Sequence, residues 1–120
     1  MNNEGSLRLE LAPPVEMSGQ VTRKTKSFEL VAFAFSACMG GAVEKALIHQ
    51  DVPYDDFSVQ VTNNVFEDHK HGGKVFAFDI IITLEGVDPT VKHAVVDHAH
   101  KLCPFSKAIR GNVDTTVTIR

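Results

Sequence analysis

Residues 27–50 read SFELVAFAFSACMGGAVEKALIHQ, and this stretch decides the fold. Between Leu30 and Val43 its only polar side chains are Ser36 and Cys38. Ser27 offers an N-cap oxygen, and Glu29 falls in the first turn, where a carboxylate suits the free amides and the helix dipole. Glu44, Lys45, His49 and Gln50 give the last turns a wet face, and Pro53 closes the element. The spacing predicts one long helix over Ser27–Gln50. A helix apolar on nearly all sides is expected to be buried on nearly all sides. Gly40 and Gly41 weaken its middle and permit close packing or a bend there.

The flanking segments alternate with period two. Leu7, Leu9 and Leu11 predict a half-buried strand, ended by Pro13 and Pro14 and followed by a loop through Ser18 and Gly19. Tyr54–Thr62 predicts a second strand, with Phe57, Val59 and Val61 on one face. Asn63–Gly73 is polar and reads as a turn. Lys74–Leu84 is the strongest strand signal, with Phe76, Phe78, Ile80, Ile82 and Leu84 on its core face. Thr90–Leu102 predicts a second helix, striped by Val91, Ala94, Val95, His98 and Leu102. Pro104 suits the first residue of a short third helix, because its missing N–H is harmless there. Gly111-Asn112 ends that helix, and Val113–Ile119 is a last strand. The class is α+β: a curved antiparallel sheet holding one very apolar helix, all within a single domain over residues 1–120.

Composition bounds the function. The chain of 120 residues carries 12 basic and 15 acidic residues, for a net charge of -3. Arg23, Lys24 and Lys26 are the only basic cluster, too thin for a nucleic-acid track. Met1–Gly5 lacks the basic start and apolar core of an export signal. The apolar run Leu30–Met39 is shorter than a membrane span. The expectation is a soluble cytoplasmic protein with no nucleic-acid or membrane partner. A domain this small gains from a partner subunit that covers apolar surface.

In a reducing compartment the two cysteines are free thiols, metal ligands or a redox pair. Helical spacing gives Cys38 the neighbours Ala34, Phe35, Ala42 and Lys45, so it reads equally as a small buried hydrophobe. Cys103 falls between two helices, immediately before Pro104. A cysteine at a helix N-cap faces unpaired amides that favour the thiolate, or it simply caps. Six histidines are present: His49, His69, His71, His93, His98 and His100. His69-Lys70-His71 has no cysteine near it, and His98 with Cys103 lacks a second half, so a zinc set is not assembled.

The run from Ala99 to Val113, AHKLCPFSKAIRGNV, resembles the C-terminal signature of the organic hydroperoxide resistance proteins, within the OsmC-like (osmotically inducible protein C) peroxidases. Glu29–Cys38 resembles the family's first-cysteine helix, and Phe76–Asp88 also looks familial. The likeness spans about Leu7 to Ile119. It implies two subunits interlocked around their long helices, with Cys38 as the peroxidatic and Cys103 as the resolving thiol. It implies organic and lipid hydroperoxides as substrates, small or protein-bound dithiols such as dihydrolipoamide as reductants, and no cofactor. Cys38 would become a sulfenic acid and then condense with Cys103. Phe33, Phe35, Met39, Phe66 and Phe105 are candidate walls for a greasy peroxide.

Two departures accompany the likeness. Active members carry an arginine on an early hairpin, and no residue of this sequence occupies that place, so the chain reads as shortened at its N-terminus. Family members also place a glutamate early in the cysteine helix. Here Phe28 falls at its position and Glu29 one residue later, leaving Glu29 as the candidate third site residue. The alternative reading is a catalytically weakened member that binds a small hydrophobic ligand or senses oxidants through the same thiols.

Overall fold

The computed structural model describes residues 26–120. The strand expected at Leu7–Leu11, the loop after it, and Arg23 and Lys24 lie outside the described residues.

A long hairpin forms the frame. Strand β1 (Asp56–Glu67) pairs antiparallel with β2 (Lys74–Glu85), in register from Asp56↔Glu85 to Glu67↔Lys74. The turn expected at Asn63 begins instead after Glu67, because both asparagines find partners. The Asn64 side chain donates to the Asp79 carboxylate across the hairpin at 2.7 Å, and that of Asn63 donates to the Phe28 carbonyl at 3.3 Å. Asp68 then builds the turn. Its carboxylate accepts from the backbone of Lys70 and His71, both at 3.0 Å. Gly72 and Gly73 follow with φ of 79° and 78°, the left-handed region open to glycine.

The β2 alternation is as predicted: Phe78, Ile80, Ile82 and Leu84 are buried, and Phe57, Val59 and Val61 of β1 lie half-buried. The first helix, α1 (Ser27–His49), packs on β1. Beyond β2 the chain forms α2 (Lys92–Leu102) and α3 (Pro104–Ile109), then β3 (Asp114–Ile119). These helices carry the chain back along the sheet, so β3 lies parallel to β2 from Ala77↔Asp114 to Ile82↔Ile119. Such a crossover is what a parallel pair requires.

That pairing corrects the expectation of a curved antiparallel sheet. The sheet of the described residues is open, mixed and three-stranded, in the order β1-β2-β3. Alternation within a strand reports which face is buried. It does not report the direction of the neighbour, which the connection sets.

The long buried helix is corrected as well. In α1 the stripe Phe35, Met39, Ala42, Val43, Ala46 and Leu47 is buried, while Phe33 and Ile48 are 72% and 65% exposed. Contrary to the reading of Leu30–Met39 alone, the whole 23-residue helix is long and apolar enough to cross a membrane by length and composition, a test that a core helix also passes. Its N-cap is Lys26 rather than Ser27, and the Glu29 carboxylate accepts from the Lys26 backbone at 3.2 Å. In α2 the buried residues are Val95, Val96 and Ala99. Ala94, placed on the predicted stripe, is exposed. Val95 is buried as expected, while Val96 and Ala99, off the predicted stripe, join it on the side that meets the core.

Candidate active site

Two chain features bring the cysteines together. Cys38 is on α1 between Ala37, which is exposed, and Met39, which is buried. Cys103 joins α2 to α3. A residue before proline avoids helical dihedrals, and Cys103 has φ -72° and ψ 116°. It therefore ends α2, its amide donating to the Ala99 carbonyl at 2.9 Å, and starts α3 as its N-cap. Pro104 is the first helical residue, as its ring favours. The Cys103 side chain accepts from the Ser106 amide at 3.5 Å.

The two sulfurs, 65 residues apart in sequence, lie 3.2 Å from one another. Both are thiols. Cys103 is fully buried and Cys38 partly so. Burial pushes the Cys38 thiol above its ordinary value of 9.0. A hydrogen bond from the Phe105 backbone works the other way, and the neighbouring Cys103 raises it further. Thus the first turn of α3 directs one backbone amide at each sulfur, the use of a helix start that favours negative charge. Among the described residues no arginine or lysine contributes to the Cys38 shift. Lys45 is exposed.

Glu29 is placed differently. It stands at the start of α1, exposed, capping the helix. Nine residues separate it from Cys38, about 13.5 Å along the axis and about 180° around it. The structure brings Cys38 and Cys103 together and leaves Glu29 on the other side of the helix.

The expected aromatic walls divide. Phe35 is fully buried and stacks on Phe105, with centroids 4.5 Å apart. Phe78 meets both edge-on, at 5.1 Å and 6.0 Å. Met39 is in the core. Phe33 and Phe66 are exposed, Phe33 lining a groove of about 530 Å³ between α1 and β1 that also contains Glu29.

Sequence reasoning gave no role to His100, Ser106 or Arg110. They line a cavity of about 330 Å³ with Phe35. The signal was present, since Ser106 and Arg110 belong to the motif after Cys103, but a motif names residues without saying what they face. The other histidines scatter: His49 and His98 approach to 3.3 Å on the surface, and His71 lies 3.4 Å from Asp68 in the hairpin turn. Among the described residues no group of three or more His, Cys, Asp or Glu side chains is arranged to hold a metal.

Comparison with known proteins follows the same line. Residues 19–118 match the family model described as OsmC-like protein. The organic hydroperoxide resistance protein-like 2 of Staphylococcus epidermidis is 33% identical over 109 residues, covering 91% of this chain and 77% of the relative. The organic hydroperoxide resistance protein of Xanthomonas axonopodis pv. citri is 31% identical over 119 residues, covering 99% and 83%. The crystal structure of an organic hydroperoxide resistance protein from Legionella pneumophila superposes with a TM-score of 0.88 at 28% identity, over 98% of this chain and 84% of that one. With a sulfur pair held at the start of α3 and a family match over most of its length, the chain belongs to the OsmC-like family of organic hydroperoxide resistance proteins.

Proposed function

We propose that this protein is a thiol peroxidase that reduces organic hydroperoxides to alcohols, using Cys38 and Cys103. The 3.2 Å separation of the sulfurs carries this reading. In the first step the Cys38 thiolate attacks the outer peroxide oxygen. The O–O bond breaks, the alkoxide leaves and takes a proton, and Cys38 becomes a sulfenic acid. Cys103 then attacks the Cys38 sulfur and expels hydroxide, which leaves as water. The sulfurs must close from contact to a bond of about 2.05 Å. An external dithiol, such as dihydrolipoamide, reopens the disulfide by two exchanges and is itself oxidised.

The amide from Phe105 partly offsets the burial that opposes the Cys38 thiolate. A cation would complete the activation by lowering the thiol pKa and steadying the departing oxygen. We assign that cation to a second copy in a homodimer. Glu29 caps α1 in its own chain, and across such an interface it would hold the cation. The exposed Phe33 beside the groove of α1 supports a covering subunit. We place the protein in the reducing cytoplasm, where the dithiol pool would regenerate it.

The raised Cys38 pKa also favours a second reading, a slow member that senses oxidants through the same dithiol. Peroxide consumption with excess dihydrolipoamide separates the two. Turnover that prefers an alkyl hydroperoxide to hydrogen peroxide and is abolished by Cys38→Ser supports the peroxidase. Absence of turnover, with Cys38 still a thiol by mass spectrometry, eliminates it. Cys103→Ser is expected to trap the sulfenic acid on Cys38.

A further inference from the structure

The cavity of about 330 Å³ between α2, α3 and β3 has a chemistry of its own. One wall is apolar, with the half-buried Ile109 and Val117, and Phe35 lies behind it. The other carries His100, Ser106 and Arg110. Ser106 is only 6% exposed, and its hydroxyl lies 3.2 Å from Nδ1 of His100. Among the described residues, either assignment of that bond leaves one donor without a partner. With the hydroxyl donating to Nδ1, the Nε2–H is free. With Nδ1–H donating, the hydroxyl proton is free.

Arg110 is fixed by the turn that follows α3. Gly111 has φ 74°, and the amides of Asn112 and Val113 both return to the Ile109 carbonyl, at 3.0 and 3.1 Å. This sends the guanidinium back to donate to the His100 carbonyl at 3.1 Å. That bond uses one of five N–H groups. Asp114 also lines the cavity, yet no ion pair joins it to Arg110 among the described residues. A cation tethered by one hydrogen bond, a neutral donor without a partner among the described residues and an apolar wall in one cleft are the elements that recognise an amphiphilic anion.

We propose that this cavity binds a small organic carboxylate, with the carboxylate on Arg110 and the Ser106–His100 pair and the hydrocarbon against Ile109 and Val117. Neither thiol lines it. The inference goes beyond the peroxidase reading and does not depend on it.

The test is titration of the isotope-labelled protein with octanoate, with octanol as the uncharged probe, followed by amide chemical shifts. Octanoate is expected to bind about tenfold more tightly than octanol, the worth of a charge-assisted hydrogen bond. The shifts are expected to centre on Ser106, Gly111 and Val117. Arg110→Gln is expected to lose that preference, Arg110→Lys to keep part of it, and Arg120→Gln to keep all of it. Cys38→Ser is expected to bind as the parent does, so a failed peroxidase assay leaves this site standing. Equal binding of octanoate and octanol, or shifts centred elsewhere in the parent protein, would overturn the proposal without reference to any variant. A folded Arg110→Gln that keeps the preference would overturn it too.

Discussion

Phe35 and Phe105 stack with ring centroids 4.5 Å apart and planes inclined by 22°. One ring stands on the helix of Cys38, one turn before it, and the other follows Cys103 by two residues. The stack packs α3 against α1 beside the two sulfurs, together with the edge contact of Phe78 on Phe105. Phe35→Ala removes a fully buried ring and this contact. The expected loss is about 3–5 kcal/mol by denaturant titration. Disulfide formation on oxidation should slow as well. A loss below about 1 kcal/mol would mean that the stack does not anchor α3.

Oxidation should stabilise the protein. Joining two cysteines separated by 65 positions constrains the unfolded chain, worth roughly 4 kcal/mol on the chain-entropy account. The reduced sulfurs already touch, so little native-state strain is expected to offset this gain. Unfolding midpoints with and without a dithiol measure it. Cys103→Ser should remove the difference.

Alkaline pH should weaken the reduced fold and activate Cys38. Burial raises the folded-state pKa of this thiol above 9.0, so the folded state holds the proton more tightly than the unfolded state does. The stabilising contribution is fully present below pH 9.0 and is lost as pH rises through the folded value. Cys38→Ser should flatten that part of the stability profile. Alkylation of Cys38 by a neutral reagent should accelerate across the same interval, because the thiolate is the nucleophile. Cys103→Ala should shift the alkylation profile towards lower pH, since Cys103 contributes two of the raising influences. A profile unmoved by that change would place the whole effect in burial.

Gly86 is expected to tolerate no side chain. It closes β2 with φ 71°, and a Cβ there would run into the Asp55 carboxylate and stand 2.9 Å from the Asp55 amide. Asp55 is held in place by its backbone N–H, which donates to the Glu85 carbonyl at 2.8 Å. Gly86→Ala should cost about 1–3 kcal/mol, read by thermal or denaturant unfolding. Gly111→Ala provides the comparison, since its φ of 74° is similar but among the described residues no atom beyond its chain neighbours lies within 4 Å of where a Cβ would stand.

The local elements were largely legible. The core face of β2, the proline-started α3 and the N-cap position of Cys103 all follow from chemistry within a few residues. Period-two alternation marks a buried strand face, and a proline fixes what its neighbours can do. Misplaced features are those where a side chain found a distant partner. Asn63 and Asn64 look like turn residues until Phe28 and Asp79 satisfy them. Ala94 sits on a plausible stripe until Val95 and Val96 prove to face the core.

The sequence by itself determined the helices and strands, the two thiols and the family likeness, because each depends on residue types at short spacing. Tertiary structure decided what spacing cannot encode. It made β3 parallel to β2, because two intervening helices return the chain to the strand's starting end. It left one flank of α1 uncovered in the described chain, because burial depends on what packs there and not on apolarity alone. It brought Cys38 and Cys103 to 3.2 Å across 65 positions, because α3 packs on α1 and the core, with Phe105 against Phe35 and Phe78.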